Sequence, residues 1–121
     1  MNDPRWLTVA LLALMLTGRA AADGPAVVEF NRDVRPTLSE NCFACHGPDK
    51  GKRKADLRLD VEADAFADRG GYRALVAGKP DRSELYRRIT EEDAARRMPP
   101  AKSGKHLTAR SLTSAKKAAN W

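Results

Sequence analysis

The stretch "NCFACHGPDK", residues 41–50, decides the fold that this sequence predicts. It contains Cys42 and Cys45, the two cysteines of the 121-residue chain, and His46 directly follows the second of them. Residues three apart on a helical turn face the same side, so two thiols at this spacing can reach one edge of a single planar group. C-x-x-C-H is the attachment pattern of c-type haem, in which the histidine supplies a nitrogen ligand to the iron. The motif therefore predicts one covalently bound haem c.

Two other uses of the same residues compete with this interpretation. A redox dithiol of the thioredoxin type lies in a βαβ context, and the chain shows no alternation of strand and helix patterns. A structural zinc module could draw on Cys42, Cys45, His46 and His106, but their spacing matches no zinc finger. The zinc module stays open as an alternative at this point.

The residues before the motif predict a helix that runs into it. Apolar side chains recur every four residues, at Phe30, Val34, Leu38 and Cys42. This spacing is typical of one face of an amphipathic helix. Asn31 is a candidate N-cap. Because a proline removes a helical hydrogen bond, the regular helix would instead begin near Pro36.

The N-terminal segment predicts export. Arg5 precedes an uncharged, mostly apolar run from Leu7 to Thr17, and Ala20 and Ala22 then form an A-x-A cleavage pattern. This is the pattern of a Sec-type signal peptide, residues 1–22, with cleavage after Ala22. The apolar run is shorter than the roughly 20 residues that a membrane span needs. We therefore expect a periplasmic or secreted domain, residues 23–121, with no membrane span after cleavage.

Composition limits the classes of partner and the size of the core. The chain has 22 Lys and Arg against 16 Asp and Glu, a net charge of +6, and these charges are mixed along the sequence. This balance can favour an acidic partner, but it lacks the concentrated basic stripe of a nucleic-acid binder. Aromatic residues make up 6% of the chain, so the core of so small a domain would be marginal without added apolar mass. A bound haem would supply that mass.

A sixth ligand for the iron is predicted at Met98. It is the only methionine after the expected cleavage site, and Pro99 and Pro100 restrict the backbone behind it. A thioether suits haem iron, and His/Met ligation raises the reduction potential. His106 is the competing candidate for this position. If Met98 does not bind, an open iron site would indicate a haem sensor or a peroxidase-like domain.

Charged segments carry weaker hypotheses. The basic run Lys50, Lys52, Arg53 and Lys54 follows the motif. It is either solvated loop charge or a surface that steers an acidic redox partner. Arg58 could pair with a haem propionate or form an ion pair at the surface. The alternation of "DLRLDV", residues 56–61, indicates a short extended segment.

Two helices are predicted further along the chain. Asp81 and Glu84 form a D-x-x-E capping pattern before a helix with Leu85 and Ile89 on its apolar edge. A final helix is expected from Thr108.

The sequence resembles the planctomycete-type cytochrome c domain. The resemblance rests on "VEFNRDVRPTLSENCFACHGPDKGKRKADLRLD", "GKPDRSELYRRI", "RMPP" and "GKHLT", and covers roughly residues 28–108. It implies an all-α fold, a small cytochrome c-like domain of about three to four helices wrapped around one covalent haem. It also implies haem c on Cys42 and Cys45, with His46 as proximal and Met98 as distal ligand. The chain departs from the family in its Ala-rich end, "ARSLTSAKKAANW", so its C-terminal helix is predicted to be shortened.

The function predicted from these features is transfer of one electron between redox partners. The domain would make and break no substrate bonds, so it is not expected to be an enzyme. Its expected partners are a redox protein, with an acidic surface favoured by the basic run, and the cytochrome c maturation machinery. Nucleic acid is not expected.

Overall fold

A computed structural model describes residues 26–121 of the chain. The predicted signal peptide, residues 1–22, lies outside the described residues. It stays a prediction, as does the domain boundary at residue 23. No helix in residues 26–121 is long and apolar enough to cross a membrane.

The described part of the chain is helical. Its four α-helices are α1 (Arg35–Asn41), α2 (Glu62–Ala65), α3 (Glu84–Ile89) and α4 (Ala109–Lys117). Shorter turns accompany them: a π-helical turn at Phe30–Val34, and 3-10 turns at Pro80–Arg82, Ala101–Ser103 and Ala118–Asn120. Residues 26–121 contain no β-strand, and one isolated bridge joins Asp68 and Arg73. The all-α prediction is confirmed for this part of the chain, whereas the segment 56–61 forms turns and no strand.

The amphipathic stripe before the motif is confirmed. Val34 and Leu38 are fully buried, and Phe30 and Cys42 pack against the core from partly buried positions. These four side chains lie on one face because they recur once per helical turn. The stripe therefore carries the chain along the core to the start of the C-x-x-C-H motif.

Helix α1 begins near Pro36. This agrees with the prediction that the regular helix starts at the proline and not after Asn31. Pro36 lies in its first turn, where a missing N–H has no cost. The Arg35 N–H bonds to the Phe30 carbonyl, five residues back, and this bond defines the π-helical turn. Asn31 lies inside that turn, so its assignment as N-cap is wrong. Glu29 holds the capping position instead.

Helix α3 starts differently from the predicted capping box. Asp81 lies in a 3-10 turn, and Ser83 occupies the N-cap position with no side-chain bond to the helix. The buried Ser83 hydroxyl bonds to residues that precede the helix: it donates to the Lys79 carbonyl at 3.0 Å and accepts from the Val76 N–H at 2.9 Å. The capping-box prediction is therefore wrong, because the serine ties the helix start to the preceding loop.

Helix α4 closes the core from the C-terminal side. It begins after Thr108, as predicted, and the Thr108 hydroxyl accepts the Ser111 N–H at 3.1 Å. The Ser114 hydroxyl donates to the Asp33 carbonyl and so joins α4 to the π-helical turn. Trp121 stacks on Phe30 with ring centroids 3.8 Å apart and an angle of 9° between the planes. The Ala-rich segment thus packs against the beginning of the domain.

The core is small, as the composition predicted. Its buried members are Val34, Leu38, Leu59, Ala65, Ala74, Leu75, Leu85, Ile89, Ala115 and Ala118. Alanines form a large share of this set, and they bury little apolar area. Loops and short turns connect the helices, so many backbone carbonyls need partners outside regular structure.

Candidate functional site

The C-x-x-C-H motif forms one helical turn directly after α1. The Cys42 N–H bonds to the Leu38 carbonyl at 2.8 Å, which continues the helix by one residue. The N–H groups of Cys45 and His46 both bond to the Cys42 carbonyl, at 3.1 and 2.8 Å. The three side chains are therefore spaced as i, i+3 and i+4 on a helical turn, the spacing that brings side chains to one face.

Gly47 is required where the chain leaves this turn. The residue is buried, and a Cβ added to it would overlap the carbonyl oxygen of Phe43. Any other residue would push the chain away from the turn directly after His46. No pattern in the sequence alone marks this glycine.

An apolar cavity of about 400 Å³ brings the predicted ligands together. Cys42, His46 and Met98 line it, although Met98 is far from the motif in sequence. Its apolar walls are Leu57, Leu59, Ala74, Leu85 and Ile89. Arg58 is not part of this lining. It forms an ion pair with Asp60 at 2.6 Å, which agrees with the surface-pair interpretation of this arginine.

His46 is oriented by the loop that follows the motif. Its Nδ1 lies 3.2 Å from the Lys54 carbonyl oxygen. Because a carbonyl only accepts, Nδ1 is the protonated nitrogen, and the lone pair is left on Nε2. Burial lowers the pKa of His46; the Lys54 carbonyl opposes this shift, and the charge of Arg69 adds to it. The imidazole is thus favoured in its neutral form, the form that ligates metals.

The two thiols have different surroundings. Cys42 is partly buried, and burial raises the pKa of its thiol to about 11. Cys45 is exposed. A protonated Cys42 is a poor redox nucleophile, since that role uses the thiolate. Within residues 26–121 no three His, Cys, Asp or Glu side chains form a metal-binding group, so the Cys2His2 set is not assembled.

Arg53 holds the first half of the loop behind the motif. Its Nε donates to the Gly47 carbonyl and its Nη2 to the Pro48 carbonyl, both at 3.0 Å. Only 11% of its side chain is exposed, whereas Lys50, Lys52 and Lys54 are exposed. Arg53 is therefore part of the fold, and only the lysines of the basic run are solvated charge.

Arg69 holds the second half of this loop. Ala55 and Asp56 have φ angles of 53° and 48°, the left-handed region that non-glycine residues rarely adopt. Arg69 donates to both of their carbonyls at 3.3 Å, and pairs with the Asp64 carboxylate at 2.7 Å. Lys54, whose carbonyl accepts from His46, lies between the two arginine contacts. No local pattern in the sequence marks Arg69, because its partners lie 5, 13 and 14 residues away in the chain.

Met98 is held at the end of α3. Its N–H donates to the Arg88 carbonyl at 2.9 Å, and a cis peptide bond joins it to Pro99. His106, the competing ligand, is exposed and lines a second cavity of about 340 Å³. Met98 lines both cavities, whereas His106 does not line the one that contains His46.

The helices and the site together define a class of protein. A helical domain in which a C-x-x-C-H turn and a distant methionine line one apolar cavity is a cytochrome c-like domain. The family model described as planctomycete cytochrome C matches residues 42–102, half of the chain, and the chain belongs to this family. The match begins at Cys42 and includes Met98, so the resemblance read from the sequence is confirmed. No curated protein and no solved structure matches the chain.

Proposed function

We propose that this chain is an exported monohaem c-type cytochrome domain that carries one electron between redox partners. One observation carries the proposal: Cys42, His46 and Met98 line the same cavity. Family membership supports haem binding as well. The electron-transfer role is our inference from this donor set.

The residues of the cavity fit a haem. Its volume of about 400 Å³ lies within the usual range of cofactor sites, roughly 300–1,000 Å³. Its walls are mainly aliphatic, as an apolar macrocycle requires. The donor set combines a thiol at the cavity, a second thiol one turn away, a neutral imidazole with a free Nε2 and a thioether. These are the groups that attach haem c and ligate its iron.

Each residue then has a role. Cys42 and Cys45 would hold the haem covalently, each through one thioether bond. His46 would provide Nε2 and Met98 its thioether as ligands to the iron. When bound, the haem iron supplies a one-electron couple. The aliphatic walls exclude water, and the Lys54 carbonyl keeps the His46 ring in one orientation. None of these roles makes or breaks a substrate bond, so the domain is proposed as a carrier and not as an enzyme.

The proposed location of the domain depends on how haem c is attached. Attachment of haem c would require cytochrome c maturation machinery as a transient partner, and the predicted signal peptide would direct the chain to it. We therefore propose a periplasmic or secreted location for residues 23–121.

An acidic redox partner is the second part of the proposal. Lys50, Lys52 and Lys54 are exposed, and the Lys54 N–H bonds to the carbonyl of the exposed Cys45 at 2.7 Å. This bond brings the backbone of Lys54 next to that of Cys45, so the exposed lysines border the turn that carries the motif. Such a surface favours a negatively charged partner and raises its rate of association.

The proposal is tested by expression in a periplasm with cytochrome c maturation, followed by a denaturing gel stained for haem peroxidase activity. We expect a haem band that migrates with the protein and disappears in a Cys42→Ala, Cys45→Ala double variant. Exported, soluble protein without the band would contradict haem attachment. Stoichiometric zinc and no iron in that sample would establish the zinc module instead.

A second measurement separates the electron carrier from the sensor or peroxidase-like alternative. Ferric protein should show the long-wavelength absorption band of methionine bound to haem iron, and Met98→Ala should abolish it while the covalent haem remains. A His106→Ala variant is the matched control and should keep the band. Wild-type protein with covalent haem but no such band would favour the open iron site.

A further inference from the structure

Arg88 connects α3 to the segment that carries Met98. Its carbonyl accepts the Met98 N–H at 2.9 Å. Its Nη1 donates to the Arg96 carbonyl at 3.2 Å, two residues before the methionine. Its Nε donates to Glu84 Oε1 at 2.7 Å. One residue thus holds the Met98 segment with both its backbone and its side chain.

These bonds satisfy groups that have no partner within regular structure. The last carbonyls of a helix lack intrahelical partners, and Arg88 lies next to the C-terminal residue of α3. The loop between α3 and Met98 is folded on itself by Arg96, which pairs with Glu91 at 3.2 Å and Asp93 at 3.4 Å. The Arg88 contacts attach the loop between α3 and Met98 to α3, the helix that lines the cavity.

We propose that Arg88 is a positioning residue for Met98, which fixes the methionine loop so that the thioether stays in the cavity. This inference rests on the proposed function, because it assumes that Met98 ligates the haem iron. Glu84 orients the arginine from the other side, and both side chains line the same cavity as His46.

The arrangement depends on the shape of the guanidinium as well as on its charge. Nε and Nη1 of Arg88 point to different partners at the same time, one on α3 and one on the loop. A lysine carries a compact point charge on a flexible stem and cannot reproduce this fork. Arg88→Lys therefore keeps the positive charge at the cavity and weakens the connection.

The second cavity gives Met98 a place to move when the connection is weakened. Met98 and Ile89 line both cavities, and the second has a volume of about 340 Å³. Release of the thioether towards this space would open the sixth position without unfolding the domain. An external ligand such as imidazole would then compete more successfully for the iron.

The experiment compares Arg88→Lys and Arg88→Gln with the wild type and with Arg87→Gln. Arg87 is the matched control: it pairs with the same Glu84 at 2.8 Å and is exposed over 68% of its side chain, against 44% for Arg88, whose Nη1 also bonds to the loop. The measurements are the methionine-to-iron band, the affinity of ferric protein for imidazole and the reduction potential. We expect both Arg88 variants to bind imidazole about threefold to tenfold more tightly, because the bond to the loop is lost at a position where solvent weakens it, and Arg87→Gln to remain within about twofold of wild type.

The outcomes distinguish a positioning role from an electrostatic one. If Arg88 acts by charge alone, Arg88→Gln shifts the reduction potential, Arg88→Lys resembles the wild type, and imidazole affinity is unchanged in both; this would overturn the proposal. If Arg88→Gln does not fold, Arg88→Lys decides the question. Wild-type protein with covalent haem but no methionine band would contradict Met98 ligation itself, and with it this role. Normal wild-type ligation and unaltered Arg88 variants would contradict only the role of Arg88.

Discussion

Arg53 provides the sharpest test of how the loop behind His46 is built. Replacement of Arg53 by Gln removes two charge-assisted bonds, to the carbonyls of Gly47 and Pro48. Bonds of this kind contribute about 1.5–3 kcal/mol each, and the Gly47 residue is buried, so water does not readily replace the lost donor. Arg53 also contacts Asp56 at 3.4 Å, but the Asp56 side chain is 92% exposed, so this ion pair adds little. Because the bond to Pro48 is exposed and water can replace part of it, we expect the free energy of unfolding to fall by roughly 2–4 kcal/mol, less than the sum of two full contributions.

The assay is denaturant unfolding of the haem-loaded protein, followed by far-ultraviolet circular dichroism. A loss of this size would lower the melting temperature of a small domain by about 10 °C or more. Lys52→Gln is the matched control from the same basic run: 76% of its side chain is exposed, and it lies 4.0 Å from Asp49. It should change stability by less than about 0.5 kcal/mol. Equal, small effects of the two substitutions would refute the assignment of Arg53 to the fold.

Three further predictions test the ends of the domain, its behaviour in acid and its charged surface. Trp121→Ala should lower the free energy of unfolding by about 1–3 kcal/mol, because the indole stacks on Phe30 at 3.8 Å, while Trp121→Phe should keep most of this stability in the same denaturant assay. The pKa of Asp33 is held well below its ordinary value, first by Arg32 and then by the Glu29 N–H. The unfolded state therefore binds more protons than the folded state below about pH 4, and stability is lost as the pH falls through that range. Asp33→Asn should reduce the loss of unfolding free energy at acid pH when unfolding is measured at a series of pH values. An unchanged dependence on pH would count against the depressed pKa. Lys50→Gln, Lys52→Gln and Lys54→Gln combined should slow electron transfer to an acidic partner at low salt and have little effect at high salt, whereas equal rates at low salt would argue against docking at this surface.

Local spacing was enough to predict the parts of the site that lie in one turn or one helix. The Cys and His positions of the motif and the stripe through Val34 and Leu38 depend on helical periodicity alone. Met98 was predicted by elimination and by chemistry, since no other methionine follows the expected cleavage site. Its place in the cavity with His46 agrees with that choice.

The sequence did not predict contacts that form only after the chain has folded back. Arg53 looks like its lysine neighbours in the sequence, and its carbonyl acceptors become available only when Gly47 lets the chain turn. Asp81 and Ser83 have similar capping propensities, and the choice between them depends on a loop carbonyl at Lys79. Local preferences differ by too little to decide such cases, so tertiary contacts decide them.

The positive charge of this domain is divided between two uses. Arg53, Arg69 and Arg88 bind backbone carbonyls of the loops around the cavity. Short helices and a core rich in alanine leave many such carbonyls outside regular structure, and a guanidinium with several donors satisfies them better than an ammonium group does. The lysines behind the motif are exposed, whereas the side chains of Arg53 and Arg69 are mostly buried and that of Arg88 is 44% exposed. Part of the net charge of +6 is therefore carried by arginines that bind the loops around the cavity, and the exposed lysines are the part that a partner can contact directly. Replacing the arginines should alter stability and ligation first, whereas replacing the lysines should alter association first, and the two kinds of variant should combine additively because they act on different steps.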